Sequence, residues 1–196
     1  MQRLLIATTN AGKVKEYAEM LSNSNIQYVS LADVGLASMD VEENGATFVA
    51  NALLKAEAYA KASGLPTLAD DSGLVVDALD GAPGIHSARY APTAAERNQK
   101  LLKAIEEVPY EKRTARFVAV IALVLPDGVT VTAEGRVEGR IAPAPRGEHG
   151  FGYDPVFLVD ERRTMAELLP EEKNAISHRG RAMARLYPIL QCIFGK

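Results

Sequence analysis

Residues 116–141 read RFVAVIALVL, then PDG, then VTVTAEGRVEGRI, and this stretch decides the fold. Arg116–Leu125 is an apolar, β-branched run. Val129–Ile141 alternates apolar with polar residues, and Pro126-Asp127-Gly128 between them is turn chemistry. Two long arms around a short turn predict a hairpin inside an antiparallel or mixed sheet. Helical and strand patterns interleave on both sides of it, which predicts an α/β class built on a long, bent sheet.

Towards the N-terminus, Arg3–Thr8 (RLLIAT) reads as a strand that ends in Thr8-Thr9-Asn10-Ala11-Gly12-Lys13. A helix follows, with Val14, Tyr17, Ala18 and Leu21 at helical spacing. Gln27–Ser30 is a second short strand. Thr47–Ser63 is the strongest helix, alanine-rich, with Val49, Leu53, Ala56 and Ala60 on one face and Gly64 as its stop. Pro66–Ala69 is a strand leading into an Asp70-Asp71-Ser72-Gly73 loop, and Leu74–Val76 is apolar again. Gly81–Tyr90 is loop chemistry. Thr93 and Glu96 form a capping box that opens a helix reaching about Glu106. Beyond the hairpin come a glycine- and proline-rich loop, Pro143–Asp154, a strand at Pro155–Val159 and a second capping box at Thr164–Glu167. A last helix runs from near Ser177 towards Ile193, kinked or interrupted at Pro188. No linker divides residues 1–196. The expectation is one domain whose two lobes enclose a cleft.

The composition is globular: 196 residues, 47% hydrophobic and 24% charged. Twenty-two basic against 25 acidic residues give a net charge of -3, which argues against a nucleic-acid coat or a polybasic membrane binder. The lone Cys192 excludes an internal disulfide and a cysteine-rich zinc site. Leu4–Ala7 is too short for a signal or a membrane span, and no other apolar run approaches about 18 residues. A soluble protein of the reducing cytoplasm is expected. The three histidines, His86, His149 and His178, show no metal-ligand spacing, and no GxSxG elbow is present.

Four polar segments carry possible chemistry. Thr8–Lys13 joins a strand to a helix N-terminus, where unpaired N–H groups and Lys13 suit phosphate. It is not a P-loop, because Ala7 and Val14 stand at two positions that motif requires, and an ordinary strand–helix turn reads equally well. Asp70 and Asp71 offer carboxylates to a hard cation or a water proton, while DDSG is also common turn chemistry. Glu42 and Glu43 precede the alanine-rich helix and Lys55 lies within it. Solvated side chains are the plain reading for all three. Phe151-Gly152-Tyr153-Asp154, with Lys173, His178 and Arg179 downstream, can stack on a base and meet its polar edge or a phosphate; a glycine turn and a basic helix start are the alternative.

In order and separation, TTNAGK, ADDSGL, GAPGIHSARY, GFGYDP and EKNAISHRG resemble the inosine triphosphate pyrophosphatase family, in particular its bacterial branch, the XTP/dITP diphosphatases. The resemblance covers nearly the whole chain. It implies an α/β fold with a long, mixed, bent sheet and two lobes around a nucleotide cleft, Mg2+ dependence and a homodimer. The implied reaction splits ITP, dITP, XTP or dXTP between the α- and β-phosphates into a nucleoside monophosphate and pyrophosphate, cleansing the nucleotide pool. By motif, Thr8, Thr9, Asn10, Ala11, Gly12 and Lys13 wrap the triphosphate, Lys55 faces it and Ser72 contacts substrate. Asp71 is general base and metal ligand with Asp70 in support, and Glu43 (or its neighbour Glu42) is the second metal ligand. Phe151, Gly152, Tyr153 and Asp154 form the base pocket, with Phe151 stacking, and Lys173, His178 and Arg179 close the site. The loop PRGEHGFGYDP departs from the family's glycine run, with the bulkier Glu148 and His149 in it. A nucleotide-binding regulatory module without turnover would use the same residues.

Overall fold

The computed structural model describes residues 3–195. The strands are β1 (Leu4–Ile6), β2 (Tyr28–Ser30), β3 (Thr67–Val76), β4 (Thr114–Val124), β5 (Thr130–Ile141) and β6 (Phe157–Leu158). The helices are α1 (Ala11–Leu21), α2 (Phe48–Ser63), α3 (Ala94–Ala104), α4 (Pro170–Ile176) and α5 (His178–Phe194). The strands lie in the order β2-β1-β3-β4-β5-β6. β1 pairs in parallel with β2 and β3, whereas β5 and β6 are antiparallel, so the sheet is mixed as expected. Two compact units divide the chain: Met1–Asp71 with Ala119–Gly135 and Arg179–Lys196, and Ser72–Val118 with Arg136–His178.

In the first unit, strand alternation sorts the core into two layers. Leu4, Ile6, Leu68, Ile121 and Leu123 pack with Tyr17 and Leu21 of α1 and with Ala182, Met183, Leu186 and Leu190 of α5. The residues between them on the same strands, Leu5, Ala69, Val120, Ala122 and Val124, pack with Ala52, Ala56, Tyr59 and Ala60 of α2. Asn10 caps α1 by accepting from the Lys13 N–H, and Thr47 caps α2 by accepting from the Ala50 N–H. Gly64 ends α2 in the left-handed conformation at φ +66°, which a residue with a Cβ adopts only at a cost. Val49, expected on the buried face of α2, is exposed; Ala56 and Ala60 are buried as expected.

The second unit centres on Leu74, Val76, Ala115, Phe117, Val137, Ile141 and Phe157 from the strands, covered by Leu101 and Ile105 of α3 and its cap. Thr93 and Glu96 form the expected capping box. The rings of Phe117 and Phe157 meet at 4.5 Å. The hairpin turn falls where the sequence places it, with the Gly128 N–H donating to Leu125 O and the Leu125 N–H to Val129 O.

Several boundaries move. Asp70–Gly73 is not a loop: β3 runs without a break through DDSG, because these residues have buried partners that replace the solvent a turn would need. In place of a Pro155–Val159 strand there is a 3-10 turn at Asp154–Val156 followed by two residues of strand. The Thr164 capping box closes a single 3-10 turn, Met165–Glu167, rather than opening a helix. A short helix, α4, precedes the last one, and α5 continues through Pro188. Gly81–Tyr90 contains a 3-10 segment at Gly84–Arg89.

Candidate active site

β3 positions the two aspartates. Successive side chains on a strand point to opposite faces, so Asp70 follows Leu68 onto the face covered by α1 and α5, and Asp71 follows Ala69 onto the face covered by α2.

On the α1/α5 face Asp70 meets two cations. Lys13 Nζ, from the first turn of α1, lies 3.0 Å from Asp70 Oδ2. Arg179 Nε, from the first turn of α5, donates to the same oxygen at 3.2 Å. The other end of that guanidinium donates from Nη1 to Glu16 Oε2 at 2.5 Å. Burial alone would raise the Asp70 carboxyl, but Lys13 and Arg179 outweigh it and hold the group well below the ordinary carboxylate range. Lys13 is lowered by its own burial, with Asp70 opposing the shift. Each cation opens a helix, where the dipole disfavours positive charge, and the shared carboxylate compensates both.

On the α2 face Asp71 is held by a helix rather than by a loop. Asn51 Nδ2 donates to Asp71 Oδ2 at 3.1 Å, and Lys55 Nζ, one turn further along α2, stands 3.9 Å from Asp71 Oδ1. Lys55 also donates to Glu43 Oε2 at 3.1 Å. Asn51 Oδ1 accepts from the Gly45 N–H at 2.8 Å, which ties the acidic segment to the helix. Here the desolvation of burial prevails over Lys55 and Asn51, and the Asp71 carboxyl is raised. Two neighbouring aspartates are thus driven in opposite directions: Asp70 toward a permanent anion, Asp71 toward a group that exchanges a proton more readily. Of the two glutamates ahead of α2, Glu43 is half-buried against Lys55 and Glu42 is exposed.

In the second unit the glycine-rich loop folds on itself. Asp154 Oδ2 accepts from the Phe151 N–H at 2.8 Å and from Lys173 Nζ at 2.6 Å, and both side chains of that ion pair are buried. Lys173 Nζ lies 4.9 Å from the Phe151 ring centroid. Tyr153 is buried in the core and its hydroxyl donates to Ser87 O at 3.0 Å, so of the two aromatic candidates only the half-buried Phe151 retains an accessible ring. His178 is buried, its ring stacked on Phe117 at 4.7 Å and 14°.

The expected site residues therefore fall into two groups. Thr8–Lys13, Glu43, Lys55, Asp71 and Arg179 belong to the first unit; Ser72, Phe151–Asp154, Lys173 and His178 belong to the second. Sequence reasoning missed Asn51, Glu16 and Phe117. Asn51 carried a signal: it lies four residues before Lys55, so the two polar side chains share one face of the alanine-rich helix.

A buried carboxylate held by an amide beside an ammonium, on a mixed α/β scaffold, is chemistry that suits a hydrolase, and two further cations, Lys13 and Arg179, stand at helix starts paired with Asp70. The particular family is given by comparison: the chain belongs to the Ham1 family, which it matches over residues 4–189. It is 52% identical over 185 residues to a dITP/XTP pyrophosphatase of Symbiobacterium thermophilum, covering 94% of this chain and 92% of that protein. Against the dITP/XTP pyrophosphatase of Bacillus subtilis the identity is 48%, covering 97% and 98%. The solved HAM1 protein of Coxiella burnetii superposes with a TM-score of 0.86 at 45% identity, covering 97% of this chain and 99% of that one. The family resemblance read from the five sequence blocks is borne out, and so is the α/β fold class. Among the described residues no helix is long and apolar enough to cross a membrane.

Proposed function

We propose that this chain hydrolyses non-standard purine nucleoside triphosphates, dITP, ITP, XTP and dXTP, to the nucleoside monophosphate and pyrophosphate, and so clears deaminated purines from the nucleotide pool. The names of the relatives support this reading, and one observation carries it: Asp71, raised by burial and oriented by Asn51 and Lys55.

A triphosphate carries about four negative charges, which repel an incoming water until they are balanced. Lys13, Lys55 and the first-turn N–H groups of α1 supply that balance. Asp71 accepts the proton of a water directed at the α-phosphorus, and pyrophosphate leaves. Asn51 holds the Asp71 carboxylate by one oxygen, leaving its orientation defined during the transfer. Phe151 stacks on the base, and Asp154 with Lys173 presents a polar edge to it. A 6-oxopurine offers an acceptor and an N1–H donor where adenine offers the reverse, so a buried donor left unpaired rejects adenine.

The residues fit a divalent ion. Asp71 and Glu43 both approach one ammonium, that of Lys55, at 3.9 and 3.1 Å, and Mg2+ needs only one or two carboxylates when a substrate's phosphates complete its shell. Mg2+, when bound, would neutralise phosphate charge and polarise the scissile bond. We further take the chain to act as one catalytic domain, as a homodimer, in the cytoplasm.

The test is turnover of dITP with Mg2+ in H₂¹⁸O. Label enters the monophosphate in this reading; label in pyrophosphate, or inorganic phosphate as first product, overturns it. Asp71→Asn reduces kcat by about 10³-fold or more while binding of dITP survives; unchanged turnover in this variant means that the carboxylate is structural.

A further inference from the structure

The loop that the proposed function assigns to the base contains two left-handed glycines, Gly150 at φ +76° and Gly152 at φ +64°. Within the loop the Asp154 N–H closes a turn on Phe151 O at 3.2 Å, but glycine at the second position of that turn lets its central peptide, Gly152–Tyr153, take either orientation at little steric cost. Asp154 and Lys173 hold the N-terminal side, through the Phe151 N–H. On the other side the Tyr153 ring is buried, with its hydroxyl on Ser87 O. Between these anchors lies the Gly152–Tyr153 peptide, and its carbonyl accepts from Asn98 Nδ2 at 3.1 Å.

Asn98 lies on α3 and is 6% exposed. Its other polar atom, Oδ1, is buried without a hydrogen-bond partner among the described residues. An unpaired acceptor in the interior is a net cost to the fold. A leucine of similar size would avoid that cost, as do the fully buried Leu101 of α3 and Ile105 at its cap, three and seven residues further on the same face. The amide is therefore poorly explained by stability, and well explained by the bond that it makes to the loop.

We infer that Asn98 is a positioning residue for the base: by holding the Gly152 carbonyl toward α3 it fixes the plane of the Gly152–Tyr153 peptide. In a trans peptide the N–H points opposite to the C=O, so the same bond turns the Tyr153 N–H away from α3 as a donor for an acceptor on the purine. A 6-oxopurine has that acceptor and adenine has an amino group in its place. The inference rests on the function proposed above and assigns part of its base selectivity to a residue that does not touch the substrate.

The experiment compares wild type with Asn98→Leu and Asn98→Asp. The aspartate keeps the shape but cannot donate to Gly152 O when ionised. Kinetics with dITP and dATP are combined with competitive inhibition by inosine monophosphate, which carries the base, and by inorganic pyrophosphate, which does not. Both variants should raise the dITP KM and the inosine monophosphate inhibition constant by about tenfold, the value of one neutral hydrogen bond. Their kcat and pyrophosphate inhibition constant stay within about twofold of wild type, on the same scale. Discrimination against dATP falls, and the thermal midpoint of Asn98→Leu is not lowered. The inference is overturned if inosine monophosphate binds the variants as it binds wild type, or if both inhibitors weaken together. Should Asn98→Leu fail to fold, Asn98→Asp carries the same comparison. If wild type itself does not turn over dITP, the proposed function has failed and this inference falls with it.

Discussion

Gly150 and Gly152 allow a matched pair of substitutions. Both are left-handed, at φ +76° and +64°. A Cβ on Gly152 meets nothing within 4 Å, whereas one on Gly150 would overlap Asp154 Oδ2 and stand 2.9 Å from Lys173 Nζ and 3.0 Å from Asp154 Cγ. Gly152→Ala therefore carries the backbone cost alone, about 1–2 kcal/mol for an L-residue in that region. Gly150→Ala carries the same cost and must also displace a carboxylate that is the buried partner of Lys173 at 2.6 Å. Separating a buried ion pair costs about 3–5 kcal/mol. Relief by a shift of the loop recovers part of this, so the second variant should be less stable than the first by about 2–4 kcal/mol. For a chain of this size each kcal/mol lowers the melting point by about 2–4 °C. Urea unfolding of both variants measures the difference directly, and the KM for dITP should follow it, because Asp154 and Lys173 are the groups displaced. Equal stabilities for the two variants would refute the steric reasoning and show that the loop relaxes without disturbing the pair.

Lys13→Met leaves Asp70 with Arg179 as its remaining ion-pair partner among the described residues. Denaturant titration should show a loss of about 3 kcal/mol, the low end for breaking a buried pair. Asn51→Leu removes the amide from Asp71 Oδ2 and the acceptor from the Gly45 N–H; steady-state kinetics should show kcat/KM for dITP lower by about 10–100-fold. Ser87→Ala leaves the buried Leu74 N–H without its acceptor, and thermal or urea unfolding should register about 1–3 kcal/mol.

The chemistry-bearing residue types were legible along the chain because each sits at a boundary that local physics marks. Thr93 caps α3 as the sequence expects, Asn10 and Thr47 cap the helices that the sequence starts at those points, and Lys13 and Arg179 lie in the first turns of α1 and α5. Burial is a different matter. Tyr153 and Phe151 look alike in GFGYD, yet one ring is in the core and the other is half-exposed; two residues of spacing in a glycine loop carry no period from which a face can be read. The DDSG segment misled for a related reason: its residue types are those of a turn, and only their buried partners, distant in sequence, keep them in a strand.

The chain by itself determined the α/β class, the hairpin, the helix starts and the inventory of acids and cations, because these depend on neighbours within a turn or two. What tertiary structure alone decided is the division of labour between Asp70 and Asp71. The pleat of β3 sends one to Lys13 and Arg179 and the other to Asn51 and Lys55. Adjacent identical residues differ only in the environment that folding brings to each face of the strand, and it is this environment that makes one a fixed anion and raises the other.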